Sequence, residues 1–438
     1  MFPWLLAVIG LWWAARVIVT FYYMLKPVEM TGLGRLGNPS LMQPSEALFT
    51  ALLAAVLCVL AYSRGVRFAT ILFATSVTLS LVMGLWPTIV LWQWATQHHI
   101  PVSFGFLLAP QSNHSYRGSD KTAIYAALPD GSRLALDVWP ATNVPADQLR
   151  PAIVKLHGGA WVQGGRGQLS DWNEWFNQIG YDVFDVDYRM PPQGNWRDEV
   201  GDVKCALGWI ATHSAQYHVD PARITLMGDS AGANLALLAA YSMGDPDLPP
   251  SCPAPEVRIR SVINIYGATE MAALYRTTGS QSFLPQQIAN YIGGTPSQLP
   301  DRYRMLSPLA HVSAAAPPTL TIHGDNDRIV PVEQSAALDK ALTAADVDHE
   351  TYYLPWVDHN FDYVWNNLPS QIARAKVAEF LSKHLGLHLS ETSACNPGAL
   401  LPSFGCTHVR AMRKHPFEAR IPQFCLYEIL LRKGKKRK

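Results

Sequence analysis

The hydrophobic pattern divides the chain into an apolar N-terminal part and a longer part in which short apolar runs alternate with polar segments. Three N-terminal stretches, residues 2–25, 47–62 and 68–94, are almost uncharged, with Arg16 as the one charge in the first. A helix of roughly 20 apolar residues spans the bilayer core of about 30 Å. The pattern therefore predicts a membrane region over residues 1–96 with two to three transmembrane helices.

Beyond about residue 118 the pattern becomes typical of a sheet covered by helices. The runs "KTAIYAAL" and "SRLALDVW" alternate in polarity around "PDG", which predicts an antiparallel hairpin. Six later apolar runs are separated mostly by helix-length segments, which predicts a mostly parallel sheet with helices on both faces. These runs are PAIVKLH, YDVFDVDYR, RITLM, IRSVINIYG, PTLTIHG and HETYYLP, and the predicted helices are 198–216, 231–243, 333–345 and 370–385.

The sharpest turn is predicted at "GDSAG", where a β-branched run gives way to an alanine- and leucine-rich run. Gly228 and Gly232 have no Cβ atoms, so the strand and helix backbones can pass closely. Ser230, next to Asp229, then lies at a helix N-terminus, where unpaired N–H groups favour negative charge. The pentapeptide predicts an exposed nucleophile, although an N-capping serine in an ordinary glycine-rich turn also fits it.

A second predicted strand ends in "KLHGGAW", which contains two consecutive glycines. Gly158 and Gly159 expose backbone N–H groups without flanking side chains, and Ala231 directly follows the candidate nucleophile. Acyl-transfer chemistry needs such donors where the oxyanion of a tetrahedral intermediate forms. These three N–H groups are the predicted oxyanion hole, flanked by the motif residues His157 and Trp161; an ordinary glycine loop is the alternative.

A candidate acid and a candidate base follow the last two predicted strands. The segment "HGDNDRIVP" offers Asp325 and Asp327, of which one carboxylate is expected to serve only the turn. The segment "YYLPWVDHNFD" places His359 in a polar loop. The chain order Ser230, Asp327, His359 is the order of nucleophile, acid and base in α/β-hydrolases, and each residue follows a predicted strand.

The motifs HGGAW, GDSAGANLA and HGDNDRIVP resemble those of the hormone-sensitive-lipase-like and kynurenine-formamidase-like branches of the α/β-hydrolases. The resemblance covers residues 118–387 and implies an α/β-hydrolase fold with Asp327, the aspartate of HGxxD, as the acid. Ala160 stands where HGGG lipases have glycine, and Trp161 follows it, as in the HGGxW subgroup. The segment "DYRMPPQGNWRDEV" also resembles prenylcysteine methylesterases, which adds amphiphilic esters to the substrate classes.

These features predict a membrane-anchored serine hydrolase that cleaves carboxylic esters, apolar or lipid-like, through an acyl-enzyme on Ser230. A long insertion at 268–316 is expected to cap the pocket, although its apolar side chains could also pack on the sheet. The alternatives are a membrane acyltransferase with the same serine, an arylformamidase-type amide hydrolase and a non-catalytic binding module. No cofactor is expected, and no metal, because Cys and His do not occur at metal-site spacings.

Charge predicts the orientation of the chain and sets its C-terminal end apart. Arg64 and Arg67 crowd the short link between the second and third apolar segments, so the positive-inside rule places that link in the cytoplasm. The catalytic domain of this integral membrane protein is then extracytoplasmic.

Residues 391–438 hold ten Lys and Arg against three Glu, which predicts a basic, disordered tail or a clamp to anionic lipid. Nucleic-acid binding is not expected. A disulfide among the tail cysteines Cys395, Cys406 and Cys425 is an alternative if the tail lies in an oxidising compartment.

Overall fold

The computed structural model describes the N-terminal apolar segments and almost all of the predicted sheet domain. The described residues are 3–26, 44–105, 117–119, 121–128, 131–142, 144–145, 148–191, 195–277 and 283–386. The basic tail predicted for residues 391–438, together with its three cysteines, lies outside these residues. Within them, three long helices precede an eight-stranded sheet.

The three apolar segments form the helices α1 (Pro3–Leu25), α2 (Pro44–Ser63) and α3 (Arg67–Gln97). By length and composition, each of the three could cross a membrane. Small residues let α2 and α3 approach closely, since a Cβ atom on Gly84 would lie 2.8 Å from the Cβ atom of Ala47. Such contacts are typical of helices that associate in lipid, where packing replaces the hydrophobic effect.

The sheet has the strand order β1-β2-β4-β3-β5-β6-β7-β8. Its strands are β1 (Thr122–Ala127), β2 (Arg133–Trp139), β3 (Arg150–Leu156), β4 (Asp182–Val186), β5 (Val219–Asp229), β6 (Ser261–Ile265), β7 (Thr319–Gly324) and β8 (His349–Leu354). Strand β2 is antiparallel to both of its neighbours, and the pairs among β3 to β8 are parallel. The predicted hairpin and mostly parallel sheet are therefore confirmed.

Helices cover both faces of the sheet and differ from the sequence prediction in two places. They are α4 (Ser170–Gln178), α5 (Asp198–Thr212), α6 (Ser214–Tyr217), α7 (Ala231–Tyr241), α8 (Met271–Thr277), α9 (Leu284–Ile292), α10 (Pro300–Met305), α11 (Glu333–Ala344) and α12 (Leu368–Leu385). The helix predicted over 198–216 is interrupted at His213. Helix α4 was not predicted, because its nine mostly polar residues bury only a short stripe around Trp172 and Phe176.

Two buried clusters lie on the two faces of the sheet. Alternate residues of β3 separate into them, with Val154 in one cluster and Ile153 in the other, as the two-residue period of a strand requires. The second cluster also contains Leu91 and Ala95 of α3 together with Phe380 of α12. The last turns of the third apolar helix therefore belong to the core of the sheet domain.

A disulfide joins Cys205 of α5 to Cys252, in the segment that leads to β6. Sequence analysis did not single out this pair, because two cysteines 47 residues apart carry no pairing pattern of their own. Cys58 of α2 is a free cysteine.

Candidate active site

The turn between β5 and α7 holds Ser230 in a strained backbone conformation. Its φ of +52° and ψ of −117° lie where residues other than glycine are rare. Hydrogen bonds brace the turn, because the Ser230 N–H donates to the Ile265 carbonyl at 3.0 Å and the Asn234 N–H donates to the Ser230 carbonyl at 3.1 Å. Backbone strain of this kind persists only where the surrounding structure holds the residue in place, and it often occurs at functional sites.

The two glycines of the turn are required by the close approach of the strand and the helix. A Cβ atom on Gly228 would lie 2.3 Å from the carbonyl group of Gly232. A Cβ atom on Gly232 would lie 2.2 Å from the carbonyl oxygen of Leu156. Larger residues at either position would therefore separate strand β5 from helix α7.

Ser230, His359 and Asp327 form a continuous chain of hydrogen bonds. The His359 Nε2 atom lies 3.0 Å from Ser230 Oγ, and its Nδ1 atom lies 2.6 Å from Asp327 Oδ2. Because a carboxylate only accepts hydrogen bonds, Nδ1 carries the proton and Nε2 of the neutral ring is left as an acceptor for the serine hydroxyl. A serine in contact with a base that is itself oriented by a carboxylate can act as a nucleophile.

A buried histidine that sequence analysis did not single out also holds Asp327. The His323 Nε2 atom lies 3.1 Å from Asp327 Oδ2 and 2.8 Å from the Val330 carbonyl, while Nδ1 lies 2.6 Å from Ser335 Oγ. The other carboxylate oxygen of Asp327 accepts two backbone N–H groups at 2.8 Å. The spacing of His323 and Asp327 in "HGDND" is the pattern that could have indicated this contact.

The charges of His359 and Asp327 stabilise one another. Burial opposes ionisation of Asp327, but His359 and His323 outweigh it and hold the pKa of this carboxyl far below its usual range. Burial likewise disfavours the imidazolium of His359, yet the adjacent Asp327 raises the pKa of this ring above its ordinary value. The pair is therefore arranged to stabilise a positive charge on His359 when the ring takes up a proton.

Asp325, the other acidic candidate, does not contact His359 but closes a turn. Its Oδ1 atom accepts the Trp356 N–H at 2.6 Å, which ties the segment after β7 to the segment after β8. Burial raises the pKa of the Asp325 carboxyl. The structure thus distinguishes the two carboxylates that the sequence left as alternatives.

The glycine loop after β3 turns through three consecutive residues with positive φ, namely Gly159, Ala160 and Trp161. A Cβ atom on Gly159 would lie 1.9 Å from the Gln163 carbonyl oxygen, so glycine is required there. A Cβ atom on Gly158 would lie 2.4 Å from Asp229 Oδ2, so this residue lies directly against the Asp229 carboxyl. Gly158 and Gly159 therefore lie in different surroundings, although they are adjacent in the motif.

The flanking motif residues His157 and Trp161 hold this loop in place. The His157 ring stacks on Tyr188 with ring centres 4.3 Å apart, and its Nδ1 atom lies 2.8 Å from the Gly158 carbonyl. The Trp161 Nε1–H donates to Asn234 Oδ1 of α7 at 3.3 Å. The same indole stacks on Tyr291 of α9 at 5.4 Å, so the 268–316 insertion contacts the glycine loop.

Two buried acidic groups, Asp229 and Asp362, interact with His359, and sequence analysis did not single out Asp362. Burial and the nearby Asp362 raise the pKa of Asp229 to about 7. Asp362 accepts hydrogen bonds from Trp172 Nε1 at 2.9 Å and from the Tyr266 hydroxyl, and the Tyr266 ring lies 4.5 Å from the His359 ring. In the described part of the chain, no group of three or more His, Cys, Asp or Glu is arranged to hold a metal ion.

Comparison with known proteins finds one matching family and relatives that are named ester hydrolases. The BD-FAE family matches residues 136–342. The Probable carboxylic ester hydrolase LipM of Mycobacterium tuberculosis (strain ATCC 25618 / H37Rv) is 29% identical over 265 residues, which are 60% of this chain and 60% of that protein. Esterase LipQ of the same strain is 30% identical over 277 residues, which are 62% of this chain and 63% of that protein. The chain spans about three fifths of the length of the curated relatives it matches.

Solved structures share the fold of the sheet domain. Thermogutta terrifontis esterase 2 phosphonylated by sarin has a TM-score of 0.54 and 24% sequence identity. The match covers 63% of this chain and 98% of that chain, so it takes in almost the whole of the solved esterase. The similarity establishes the fold of the domain that carries Ser230, His359 and Asp327.

Proposed function

From its membership of the α/β-hydrolases, with a BD-FAE domain over residues 136–342, we propose that this chain is a membrane-anchored serine hydrolase of carboxylic esters. The observation that carries the proposal is the hydrogen-bonded chain from Ser230 through His359 to Asp327. Ser230 is the nucleophile, His359 the general base and Asp327 the acid that orients the base. The strained backbone of Ser230 supports the same assignment, since strain of this kind collects at functional turns.

The reaction follows from the contacts of these three side chains. As Ser230 Oγ attacks the ester carbonyl, its proton moves to His359 Nε2, and Asp327 stabilises the imidazolium that forms. His359 then gives the proton to the leaving alcohol as the C–O bond breaks, which leaves an acyl group on Ser230. Water, deprotonated by the same imidazole, attacks the acyl-enzyme and releases the carboxylic acid and the free serine.

The oxyanion of the intermediate needs backbone donors beside Ser230. Sequence analysis offered Gly158, Gly159 and Ala231. We propose these three backbone N–H groups as the donors to the oxyanion. Ala231 is the first residue of α7, where the N–H has no acceptor within the helix.

The substrate that we propose is an apolar or lipid-like ester. The insertion between β6 and β7 brings α9 against Trp161, and its side chains Leu284 and Ile288 are buried in the core cluster on that face. The apolar side chains of this insertion therefore pack in the core of the sheet domain, next to the glycine loop that contains Trp161. The three N-terminal helices, each able to cross a membrane by length and composition, favour substrates that partition into lipid.

The proposed orientation places the catalytic domain outside the cytoplasm. Arg64 lies in the short link between α2 and α3, and Arg67 is the first residue of α3; these two positive charges favour the cytoplasm for that link. The disulfide between Cys205 and Cys252 supports this orientation, because disulfides persist mainly in oxidising compartments.

The test is covalent labelling of the full chain, in detergent or lipid nanodiscs, with a fluorophosphonate. We expect the reagent to modify Ser230, and we expect Ser230→Ala to lower turnover of a short-chain aryl ester by roughly 10³-fold or more. The exposed Ser297 provides a matched control, since Ser297→Ala should label and turn over like the wild type. A folded wild-type protein that remains unlabelled at Ser230 contradicts the proposal.

A further inference from the structure

The loops that carry Asp327 and His359 are joined to each other by hydrogen bonds and an ion pair. We call residues 324–328 and 355–359 together the acid–base loop pair. The bonds between its two halves are Asn326 N–H to the Val357 carbonyl at 3.0 Å, Trp356 N–H to Asp325 Oδ1 at 2.6 Å, and Arg328 Nε–H to Asp358 Oδ2 at 2.8 Å. A displacement of one half is therefore passed to the other.

This acid–base loop pair lies directly against the N-terminal apolar helices. The Asn326 side-chain amide donates to the Met24 carbonyl of α1 at 3.3 Å. The Trp356 side chain packs against a buried cluster formed by Val17 and Met24 of α1 and Met83 of α3. Asn326 precedes Asp327 in the chain, and Trp356 lies three residues before His359.

Both contacts satisfy a physical requirement. Met24 is in the last turn of α1, where backbone carbonyls have no donor within the helix, so the Asn326 amide supplies one. Trp356 has a φ of +62°, which is unfavourable for a bulky residue and needs support from its surroundings. The helices supply that support through Met24 and Met83.

The length of α3 brings the helices within reach of the sheet domain. Its 31 residues make a helix about 46 Å long, which exceeds the bilayer core of about 30 Å. The surplus is about 11 residues, and Leu91 and Ala95 in the last turns pack in the core of the sheet domain. The sheet domain is thus bound to the helices at two places, one beside His359 and Asp327 and one at α12.

We propose that α1 and α3 position the catalytic acid and base, with Trp356 and Asn326 as the positioning residues that connect the helices to the acid–base loop pair. This inference rests on the proposed function, because it concerns the geometry of the same Ser230, His359 and Asp327. The helices then contribute to catalysis as well as to attachment. Loss of the contact moves His359 relative to Ser230, and small misplacements of reacting groups lower rates by up to about 100-fold.

The experiment compares variants at the two contact places in the full-length protein in nanodiscs. Trp356→Ala and Asn326→Ala remove the contact beside the acid–base loop pair, whereas Leu91→Ala weakens the contact at α12 and serves as the matched control. The measurements are kcat and KM for a short-chain aryl ester, together with the rate of fluorophosphonate labelling. Trp356→Phe tests rescue, because it keeps an aromatic ring against Met24 and Met83.

We expect Trp356→Ala to lower kcat and the labelling rate by roughly 10- to 100-fold with little change in KM, and Asn326→Ala to act in the same direction. Trp356→Phe should restore most of kcat, and Leu91→Ala should lower thermal stability while keeping kcat. If Trp356→Ala does not fold, Asn326→Ala tests the inference instead, because it removes only a single hydrogen bond and should leave the fold intact. Wild-type labelling rates in the variants, or an equal loss of kcat in Leu91→Ala, overturn the inference. A wild type that does not label contradicts the hydrolase proposal instead.

Discussion

At the scale of single residues, Asp325 and Asp327 have different tasks although they are two positions apart. Asp327 accepts hydrogen bonds from two histidines and two backbone N–H groups, whereas Asp325 accepts the Trp356 N–H. We expect Asp327→Asn to lower kcat by about 10³- to 10⁴-fold, because an amide favours the wrong tautomer of His359. Asp325→Asn retains an oxygen acceptor and should stay within about tenfold of wild type. Steady-state kinetics on both variants, with circular dichroism as the folding control, would reveal the reverse ranking.

The contacts of His359 also predict the pH dependence of the reaction. The ring acts as a base only when it is neutral, and Asp327 raises its pKa by stabilising the imidazolium. The logarithm of kcat/KM should therefore rise with pH and level off, with a midpoint above the ordinary histidine value of about 6.5. A profile measured from about pH 5 to 9 checks this, and a midpoint below the ordinary value contradicts it.

The sequence indicates the three residues of the proposed triad more readily than the residues that contact them. Ser230, Asp327 and His359 were recognisable because each follows an apolar run and because their order along the chain is informative. His323 lies four residues before Asp327, so their spacing in HGDND could have indicated this contact. Tyr266 and Asp362 gave no comparable pattern, because they contact each other across 96 residues of sequence. The choice between Asp325 and Asp327 rested on the HGxxD resemblance until the geometry distinguished them.

At the scale of secondary structure, the disulfide joins α5 to the segment before β6. Closing a loop of 47 residues corresponds to about 4 kcal/mol of chain entropy in the unfolded state. We expect Cys252→Ser to lower the melting temperature by several degrees, whereas Cys58→Ser, at the free cysteine of α2, should have a smaller effect. Differential scanning fluorimetry under non-reducing conditions measures the melting temperatures of both variants. Equal melting temperatures for Cys252→Ser and wild type would show that the disulfide adds no stability.

Strands were easier to predict than helices in this chain. The inner strands are buried on both faces, so they stand out as short apolar runs bounded by glycine, proline and charged residues. Helix α4 has no such run, because a nine-residue surface helix needs to bury only one narrow stripe. The end of α5 at His213 was also hidden, since no glycine or proline separates α5 from α6 in the sequence.

At the scale of the whole molecule, the proposed orientation in the membrane gives a direct prediction. With the α2–α3 link in the cytoplasm, a reporter that is active only outside the cytoplasm should be inactive when fused after residue 66. The same reporter should be active when fused after residue 100, which follows α3. Activity at the first position and not at the second would reverse the proposed orientation.

The packing of the helices on the sheet domain could not be predicted from the sequence. Composition identified three apolar segments, but apolar residues that face lipid and apolar residues that face protein have the same pattern. Nothing local to Met24 or Met83 indicates that Trp356 lies against them. Contacts between distant segments of this kind become visible only when the chain is folded.

The backbone conformation of Ser230 favours glycine for stability, whereas the proposed reaction requires the serine hydroxyl. At a φ of +52° any side chain costs on the order of 1 to 2 kcal/mol relative to glycine. Selection for a durable fold alone would therefore favour glycine at this position, and Ser230→Gly relieves the strain while removing the hydroxyl. Stability disfavours serine there, and under the proposed function the hydroxyl group is what selection for chemistry retains at this position.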